Sequence, residues 1–514
     1  MIKRYRRVDG DWRRNDRKVV CVNQGDLPGT RSRCEEARAG QESERVIRAE
    51  KGRNGPGAKG AQEDGTVTNK PTEEVPTAVS ETTKQVGDVR ARWAWTEPAV
   101  WTERMLATLE NGVKGGQWFS LIDKVYAPDN LRRAFEKVRV NGGAAGVDHE
   151  TIEMFESHLE KNLDHIAQTL KDGTYRPSPV KRVWIDKPGS REKRPLGIPT
   201  IRDRVVQSAL RNVLEPIFER NFAENSYGFR PNRAAKDALR QVDNLLKAGY
   251  GWVVDADLKS YFDTIPHEPI LKLVATKVSD GRVLDLITAM LNQGVMQTGG
   301  EWQPEEGTPQ GAVISPLLSN IYLDPFDHLM ESNGTAMIRY ADDFVILCQS
   351  EAEAIQALQR VRDWTAKAEL QLHPEKTRVV DATQPGGFDF LGYHFERGYR
   401  WPRRKSQRKL QDVLRRKTKR SDGRSLMVII SDVNRTLKGW FEYFKHSHRT
   451  TFPILDGWVR MRLRSILRRR HHGYGSGRGF DHQRWPNAFF AQHGLFSLTA
   501  AHARLRQSST EVNH

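Results

Sequence analysis

Two adjacent aspartates stand inside the most strand-like segment of the chain. Residues 337–348 read MIRYADDFVILC, which places Asp342 and Asp343 between two apolar runs. Adjacent like charges repel, and burial raises the pKa of such carboxyls unless a cation compensates. An exposed hairpin apex would also hold the pair, but the favoured Asn-Gly or Asp-Gly turn is absent. The pair therefore favours a magnesium site, because magnesium takes hard oxygen ligands such as carboxylates together with substrate phosphates.

A second acidic segment precedes this pair by about 80 residues. GWVVDADLKSYFDTI carries Asp255, Asp257 and Asp263, and its valines predict a strand that ends near Asp257. If this strand lies beside the first segment, Asp257 completes a carboxylate cluster. Such a cluster holds two metal ions about 4 Å apart, as in polymerases and nucleases. Alternation points Asp255 to the same face as Asp257 and leaves Asp263 beyond the strand, so these two are expected to cap or solvate the local turn.

Positive charge is concentrated in one part of the sequence. The 514 residues carry 82 Lys and Arg against 65 Asp and Glu, a formal net charge of +17. Residues 396–470 alone hold 23 Lys and Arg against six Asp and Glu, which accounts for the whole excess. This excess favours a polyanionic partner, either nucleic acid or an anionic membrane surface. Apolar residues at helical spacing predict helices there with one face on a core and another on phosphates, and a solvated basic face is the alternative.

The cysteines and the hydropathy pattern indicate which cellular compartment fits this protein. The three cysteines, Cys21, Cys34 and Cys348, form no C-x-x-C pair, which argues against a disulfide framework and a cysteine zinc site. No run of about 18 apolar residues is present, so no membrane span is expected. The basic N-terminus lacks the apolar stretch of a secretory signal. A protein of the reducing cytosol fits these features.

The sequence divides into four predicted regions. Residues 1–92 are polar and broken by Gly and Pro, which predicts a disordered or poorly ordered tail. Residues 93–395 mix helical and strand patterns and predict an α/β domain. Residues 396–470 predict the basic helical module, and residues 471–514 predict a short nucleic-acid-binding segment.

Four histidines in the last region raise the question of a metal site: His471, His472, His482 and His493. Their spacing is irregular, and no cysteine follows Cys348. Contact with RNA or DNA, or an ordinary surface role, is therefore favoured over zinc binding.

A series of ordered blocks resembles one family. Tyr340-Ala341-Asp342-Asp343 resembles the YADD box of reverse transcriptases, in the form common among group II intron-encoded proteins. Further blocks resemble that family in the same order: RPLGIPTIRDRVVQSAL (194–210), SYGFRPNRAAKDAL (226–239), DLKSYFDTI (257–265), GTPQGAVISPLLSNIYLDPFD (307–327), LQLHPEKTRVV (370–380) and FDFLGYHF (388–395). LKGWFEYF (437–444) resembles the maturase, or X, domain that follows. A single box is weak support, whereas this many in order is strong.

The resemblance implies a fold. We expect an α+β protein with right-hand polymerase fingers and palm, a YADD hairpin, and then an α-helical thumb/maturase (X) domain. Many relatives end in an HNH-type endonuclease with paired C-x-x-C elements, and the lack of cysteines after Cys348 predicts that this domain is missing. DNA synthesis would then depend on a primer from elsewhere, such as a nascent strand at a replication fork.

The resemblance also implies roles for the acidic residues. Asp257, Asp342 and Asp343 match the carboxylates that bind two Mg²⁺ ions in this family. Phe262 matches the residue that packs under the sugar and excludes a 2′-hydroxyl, although an ordinary core role is the alternative. The motif match selects Asp257 over its acidic neighbours.

Further positions match the nucleotide-binding part of the family pattern. Gln310 would touch the incoming nucleotide, and Gly311 would allow close backbone approach. Lys187 and Arg194 resemble the cations that bind the triphosphate. The spacing there is one residue longer than the family pattern, so Lys193 or Arg191 could replace either, and a flexible basic loop is the alternative.

These features together predict an RNA-directed DNA polymerase that also acts as a maturase. It would bind group II intron RNA, assist splicing, and copy the intron into target DNA from deoxynucleoside triphosphates during retrohoming. The expected location is the bacterial cytoplasm, with nucleoid association when DNA is bound, and a homodimer is left open. The alternatives are a splicing-only maturase, a retron or defence-type reverse transcriptase, and a basic structural RNA-binding protein.

Overall fold

The computed structural model describes residues 89–113, 115–186, 193–297, 300–302, 306–308, 310–475 and 479–511. Most of the tail predicted over residues 1–92 lies outside the described residues. So do Lys187 and Arg191, two of the candidate triphosphate-binding cations.

The first part of the described chain is mainly helical. Its elements are α1 (Glu103–Asn111), α2 (Ile122–Val125), α3 (Pro128–Asn141), α4 (Ile152–Ser157), α5 (Leu159–Lys171), β1 (Val180–Asp186), β2 (Lys193–Ile198) and α6 (Ile201–Glu219). Side chains of Thr151 and Thr200 accept hydrogen bonds from backbone N–H groups at the starts of α4 and α6. α4 and α5 are separate helices, because His158 between them leaves helical geometry at φ −127°.

The middle part carries the acidic segments. Its elements are α7 (Ala235–Lys247), β3 (Trp252–Asp257), α8 (His267–Ala275), α9 (Gly281–Leu291), β4 (Val295–Gln297), β5 (Gly300–Trp302), α10 (Ser315–Ser332), β6 (Ala336–Tyr340), β7 (Asp343–Cys348), α11 (Glu351–Lys367) and β8 (Arg378–Asp381). The predicted strands at GWVVDADL and around the aspartate pair are confirmed. A single 3₁₀ turn at Tyr261–Asp263 follows β3.

The last part begins with short strands and continues as helices. Its elements are β9 (Phe388–Phe390), β10 (Tyr393–Glu396), β11 (Tyr399–Pro402), α12 (Arg404–Lys417), α13 (Leu426–Phe444), α14 (Thr451–Arg470), α15 (Asp481–Arg484), α16 (Asn487–Gln492) and α17 (Leu498–Glu511). The prediction of helices within residues 396–470 is confirmed by α12, α13 and α14.

A four-stranded antiparallel sheet in the order β6-β7-β3-β8 lies at the centre of the acidic region. One face packs on α10 and α11 through residues such as Val254 and Phe344. The other face packs on α7 and on the β9–β10 strands through residues such as Val253 and Val345. Because both faces are buried, β7 reads as a continuous apolar run after Asp343 and not as an alternating one.

The remaining strands form two smaller sheets. The order β2-β1-β4-β5 joins the β1–β2 hairpin to the strands after α9, with β1 and β4 parallel. The order β11-β10-β9 forms a small antiparallel sheet just before the basic helices.

The basic helices share one apolar core with the helices that follow them. Leu410 and Leu414 of α12 are buried, while most of the Arg and Lys side chains of that helix are exposed. Trp485, Phe490 and Leu498 are buried in the same core. Residues 479–511 therefore pack as a continuation of the helical module, and nucleic-acid binding by this segment stays a prediction.

Two helices of this module, α12 and α14, are strongly cationic. α14 spans 20 residues and ends in Arg468, Arg469 and Arg470. Across the residues that the structure describes, no helix is both long and apolar enough to cross a membrane.

Asp324 on α10 is a buried carboxyl that should make the stability of the fold depend on pH. Its Oδ1 atom is buried without a hydrogen-bond partner, although the His328 Nε2 atom lies 3.5 Å away, and burial raises the pKa of this carboxyl to about 6. A raised folded-state pKa gives stability that is full below about pH 4 and is lost as pH rises through about 6. We therefore expect Asp324→Asn to raise the melting temperature by a few degrees at pH 7.5 and much less at pH 4.

Thermal unfolding across this pH range checks the expectation. The control is Asp363→Asn, which changes an exposed aspartate on α11 and should leave the melting temperature almost unchanged at every pH. A melting temperature of Asp324→Asn that is unchanged at pH 7.5 would contradict the stated cost of the buried carboxylate.

Candidate active site

The sheet brings the two acidic segments together. In the β3–β7 ladder, Asp257 lies directly opposite Asp343. In the β6–β7 ladder, Tyr340 pairs with Asp343, which leaves Ala341 and Asp342 as the two residues of the turn. Asp342 therefore lies at the tip of the hairpin, beside the end of β3. The hairpin apex and the neighbouring strand supply three carboxylates to one edge of the sheet.

This turn lacks the usual glycine, and its shape is held from outside. Ala341 adopts φ +59°, a left-handed conformation that costs a residue with a Cβ about 1 kcal/mol or more. Its carbonyl accepts a hydrogen bond of 2.9 Å from the Arg339 guanidinium. The backbone of Gly228 lies directly on the turn, since a Cβ there would be 2.2 Å from the Ala341 nitrogen.

Arg339 is the centre of a buried polar network under the hairpin. Its guanidinium is fully buried and forms an ion pair with Asp327 of α10, with one N–O distance of 2.7 Å. It also donates to the Asn320 side chain at 3.1 Å and to the Ser226 hydroxyl at 2.7 Å. Asn320 in turn donates to the Gly228 carbonyl at 2.8 Å. The network ties α10, the loop before α7 and the aspartate turn into one unit.

Asp342 and Asp343 lie in an environment that disfavours their negative charge. Burial, followed by repulsion from Asp342, Asp257 and Asp255, raises the pKa of Asp343 to about 7. Burial, with repulsion from Asp257, also raises the pKa of Asp342. Both side chains remain partly accessible to solvent at the sheet edge. A cation bound between these carboxylates would relieve this repulsion.

Three basic side chains approach these carboxylates from three different elements. Lys376 forms an ion pair with Asp257. The chain before β8 places this lysine, because the His373 N–H donates to the Asp257 carbonyl at 2.8 Å. Arg194 on β2 and Arg403 before α12 lower the proton affinity of Asp342 and Asp343 respectively.

A metal site needs carboxylates that are correctly arranged as well as present. Carboxylate oxygens are the donors that magnesium prefers. Among the described residues, however, no group of three or more His, Cys, Asp or Glu side chains is arranged to hold a metal ion. Asp257 is instead turned to the ammonium of Lys376. A metal ion bound to this oxygen of Asp257 would displace Lys376.

Asp255 and Asp263 differ from the expectation that they cap or solvate a turn. Asp255 lies inside β3 and forms an ion pair with Arg378 of β8 at 3.3 Å, while burial raises its pKa to about 6. Asp263 accepts a hydrogen bond of 3.0 Å from the Gln310 side chain. The turn prediction was wrong because a strand partner and a loop neighbour, both distant in sequence, take up these carboxylates.

Three of the predicted nucleotide-contact residues, Phe262, Gln310 and Gly311, lie around one loop. The Thr308 N–H donates to the Phe262 carbonyl at 2.6 Å, and the Gly197 N–H donates to the Gln310 carbonyl at 2.6 Å. Gly311 adopts φ +108°, and a Cβ there would be 2.5 Å from the Gly197 carbonyl. Hydrogen bonds from this loop thus link the segment after β3 to strand β2. The Gln310 side chain itself is hydrogen-bonded to Asp263.

Phe262 is partly buried, and its ring packs edge-on against Tyr261 and Phe229, with centroid separations of 5.5 and 6.4 Å. This placement is compatible with both a core role and a contact to a sugar. Arg194 and Lys193 lie exposed on β2, where their partners in β1 are Ile185 and Asp186.

Gly228 gives a direct test of the packing under the turn. In Gly228→Ala the added methyl group would overlap the Ala341 backbone, so the hairpin must move. We expect a loss of about 100-fold in any activity of the aspartates, because a shift near 1 Å has that effect on reacting groups. The expected loss of unfolding free energy is about 1–3 kcal/mol.

Activity and urea unfolding measured on the same preparation separate these two effects. The control is Gly423→Ala, because a Cβ at Gly423 meets no atom within 4 Å. Full activity in Gly228→Ala would show that the hairpin position does not matter.

Comparison with known proteins then places the chain in a family. Residues 185–395 match the model described as "Reverse transcriptase (RNA-dependent DNA polymerase)". Residues 407–485 match the model described as "Group II intron, maturase-specific domain". Protein YkfC of Escherichia coli (strain K12) is 32% identical over 350 residues, covering 60% of this chain and 86% of that protein. The chain belongs to the group II intron-type reverse transcriptases.

The names of two further relatives of this reverse transcriptase refer to an intron. The group II intron-encoded protein LtrA of Lactococcus lactis subsp. cremoris is 38% identical over 232 residues, which cover 43% of this chain and 38% of LtrA. An uncharacterized 91 kDa protein in the cob intron of Schizosaccharomyces pombe is 38% identical over 201 residues, which cover 39% of this chain and 24% of that protein. This chain therefore spans less than half the length of either protein.

The matched regions agree with the expected family and enzyme class. The reverse transcriptase match contains the whole four-stranded sheet with its three aspartates. The maturase match begins within α12 and ends at Trp485. The predictions of a reverse transcriptase and of a maturase domain are confirmed.

Sequence reasoning missed the side chains that support the aspartates. Arg339 stands inside MIRYADD, where a charged residue within a buried strand was an available signal. Lys376 and Arg403 carried no local signal, because each reaches the site from a segment whose position only the fold determines.

Proposed function

We propose that this chain is an RNA-directed DNA polymerase whose reaction takes place at Asp257, Asp342 and Asp343. The observation that carries the proposal is the register that puts Asp257 opposite Asp343, next to the turn that carries Asp342. On this proposal the β6-β7-β3-β8 sheet is the palm, the β1–β2 hairpin belongs to the fingers, and α12–α14 form the thumb and maturase domain. Residues 93–395, 396–470 and 471–514 remain the proposed division of the chain after the tail.

The proposed cofactor is a pair of Mg²⁺ ions held by these three carboxylates. When bound, such a pair activates the attacking 3′-hydroxyl and neutralises charge on the leaving oxygen. Burial, and then repulsion from the neighbouring aspartates, raises the pKa of Asp343, which supports a site built for a cation. Lys376 has the charge and position to occupy this place when no metal is present.

The neighbouring residues have proposed tasks in binding the deoxynucleoside triphosphate. Arg194 is exposed and close enough to Asp342 to lower its proton affinity, which suits contact with a triphosphate at the metal site. Gln310 would leave Asp263 to meet the nucleotide, while Gly311 keeps the loop against β2. Phe262 would face the sugar. Lys187 keeps its proposed role but lies outside the described residues.

Intron RNA is the proposed partner of the helical module. The exposed cations of α12 supply the positive charge that a phosphate backbone needs. On this proposal the protein assists splicing of its group II intron RNA and copies the intron into target DNA during retrohoming, in a bacterial cytoplasm. A splicing-only maturase is the second candidate, but the three carboxylates at one sheet edge favour a catalytic protein.

Primer extension on an RNA template tests the polymerase proposal. Purified protein is given Mg²⁺ and deoxynucleotides beside the double variant Asp342→Ala/Asp343→Ala. We expect extension by the wild type alone. Tight binding of both proteins to the intron RNA without any extension would leave the splicing-only maturase.

A splicing assay with the same two proteins separates the second activity. The precursor RNA is incubated near the lowest Mg²⁺ concentration at which it does not splice unaided. We expect the double variant to assist splicing as well as the wild type, because the proposed RNA contacts lie on the helices and not at the aspartates. Loss of splicing in the variant would place both activities at one site.

A further inference from the structure

Phe229 holds its backbone in a conformation that a bulky residue rarely adopts. Its φ angle is +59°, in the left-handed region that disfavours a residue with a large side chain. Such an outlier persists only where the surrounding structure determines it, and outliers of this kind cluster at functional sites. Phe229 lies in the loop before α7, directly after the glycine that supports the aspartate turn. The strained phenylalanine therefore calls for a role that a glycine or an asparagine would not fill.

The residues on either side of Phe229 are held by buried contacts. The Gly228 carbonyl accepts a hydrogen bond of 2.8 Å from the Asn320 side chain, and the Gly228 backbone lies on the aspartate turn. On the other side, the buried Arg230 guanidinium donates to the Glu219 carboxylate at 2.8 Å. Because both neighbours are held, the fold determines the strained conformation of Phe229.

The side chain of Phe229 packs against Phe262. The two ring centroids are 6.4 Å apart and the ring planes are inclined at 74°, which makes an edge-to-face pair. Both side chains are partly buried. Phe262 also meets the ring of Tyr261 edge-on, at a centroid separation of 5.5 Å. Phe262 is therefore held between the ring of its chain neighbour and a ring from the loop that supports the aspartate turn.

Hydrogen bonds fix the backbone of Phe262 and the ring of Tyr261. The Thr308 N–H donates to the Phe262 carbonyl at 2.6 Å. The Tyr261 side chain is buried, and its hydroxyl donates to the Ser319 carbonyl at 2.7 Å. A bond to a backbone carbonyl does not determine the rotamer of the side chain. The edge-on contact with Phe229 is what limits how far the Phe262 ring can turn.

The place of the Phe262 ring matters for the choice of nucleotide. On the proposed function, this ring faces the sugar at the aspartates and excludes a 2′-hydroxyl. A hydrophobic surface by itself rejects an added hydroxyl only weakly. Strong rejection needs a ring that cannot move aside, and close packing against a second ring supplies that resistance.

We propose that Phe229 determines specificity for the sugar of the incoming nucleotide, because its ring holds Phe262 where it excludes the 2′-hydroxyl. This inference rests on the proposed function and adds the residue that gives Phe262 its selectivity. Phe229 acts as a positioning residue, and it touches neither the nucleotide nor the metal ions.

Single-nucleotide addition on an RNA template measures the choice directly. kcat/KM is determined for a deoxynucleoside triphosphate and for the ribonucleoside triphosphate with the same base. Phe229→Asn removes the ring but supplies a residue that accepts the left-handed backbone. We expect the ratio of the two values to fall about tenfold, the worth of one aromatic pair, mainly because the ribonucleotide value rises. A purely structural role would lower both values together, and an unchanged ratio would overturn the inference.

Two further variants separate the ring from the backbone. Phe229→Tyr keeps the ring and should keep the wild-type ratio. The matched control is His149→Asn, which makes the same change at an exposed residue whose φ is also +59°, and it should leave both values unchanged. Urea unfolding of each variant reports whether it folds. Phe229→Leu, which stays apolar, repeats the test if Phe229→Asn folds poorly.

Phe262→Ala provides the reference and separates this inference from the polymerase proposal. It should lower the ratio by more than Phe229→Asn does, and adding Phe229→Asn to it should lower the ratio no further. A further fall in the double variant would show that Phe229 acts independently of Phe262, against the inference. If Phe262→Ala changes the ratio and Phe229→Asn does not, the inference alone fails. If the wild type adds neither nucleotide, the polymerase proposal fails and the inference fails with it.

Discussion

We expect Asp343→Asn to reduce the rate of single-nucleotide addition by about a thousandfold while making the protein more resistant to heat. The asparagine keeps the shape of the side chain but supplies only a neutral oxygen to a cation. A metal ion in such a site contributes several kcal/mol of transition-state stabilisation, and each 1.4 kcal/mol is a factor of ten in rate. The rate loss follows from weaker metal binding at the carboxylate that lies opposite Asp257.

The gain in stability follows from the same charges. Asp343 is repelled by Asp342, Asp257 and Asp255. Removing its charge without changing its volume relieves this repulsion, so the melting temperature at pH 8 without Mg²⁺ should rise by a few degrees. A residue that lowers stability and raises activity is typical of a functional site.

Single-turnover extension and thermal unfolding of one preparation measure both effects. The matched control is Asp255→Asn, which changes another aspartate of the same sheet but one that is paired with Arg378. We expect the control to keep activity within a few-fold of wild type, because Asp255 is paired with Arg378 and is not one of the three proposed metal ligands. Equal loss of activity in both variants would contradict the assignment of Asp343 over Asp255.

The local structure of this chain could be read from the sequence where the pattern is strong. The strand at GWVVDADL and the three basic helices follow from runs of valine and from apolar residues at helical spacing. The ordered blocks identified the family and pointed to three aspartates. The pairing of β3 with β7 could not be predicted in this way, because no local pattern determines which residue of β3 lies opposite Asp343. That register depends on packing against helices on both faces of the sheet.

The turn at the aspartates shows why a local rule was insufficient. Asn-Gly and Asp-Gly turns are favoured because their residues accept positive φ without strain. Here Ala341 adopts φ +59° without such a residue. The cost is met by the Arg339 hydrogen bond and by contact with the Gly228 backbone, and both come from segments that only the fold brings to the turn.

The same network carries the second large prediction, for Arg339→Met. The variant leaves Asp327 as a buried charge without a partner, and it removes the donors to Asn320, Ser226 and the Ala341 carbonyl. Breaking a buried ion pair from one side costs about 3–5 kcal/mol, so much of the stability of the fold should be lost. Urea unfolding measures this cost. The surface pair of Arg415 and Asp412 is the control, since Arg415→Met should cost less than about 1 kcal/mol.

The double variant Arg339→Met/Asp327→Leu separates stability from function. Replacing both members of a buried pair with apolar residues is often neutral for stability, so the double variant should regain most of the unfolding free energy. It cannot restore the hydrogen bond to the Ala341 carbonyl, so the left-handed turn before Asp342 stays unsupported. We therefore expect stability to return while primer extension stays low. Recovery of both would mean that the ion pair serves folding alone, and recovery of neither would mean that the hydrogen bonds to Asn320 and Ser226 carry the stability of the network.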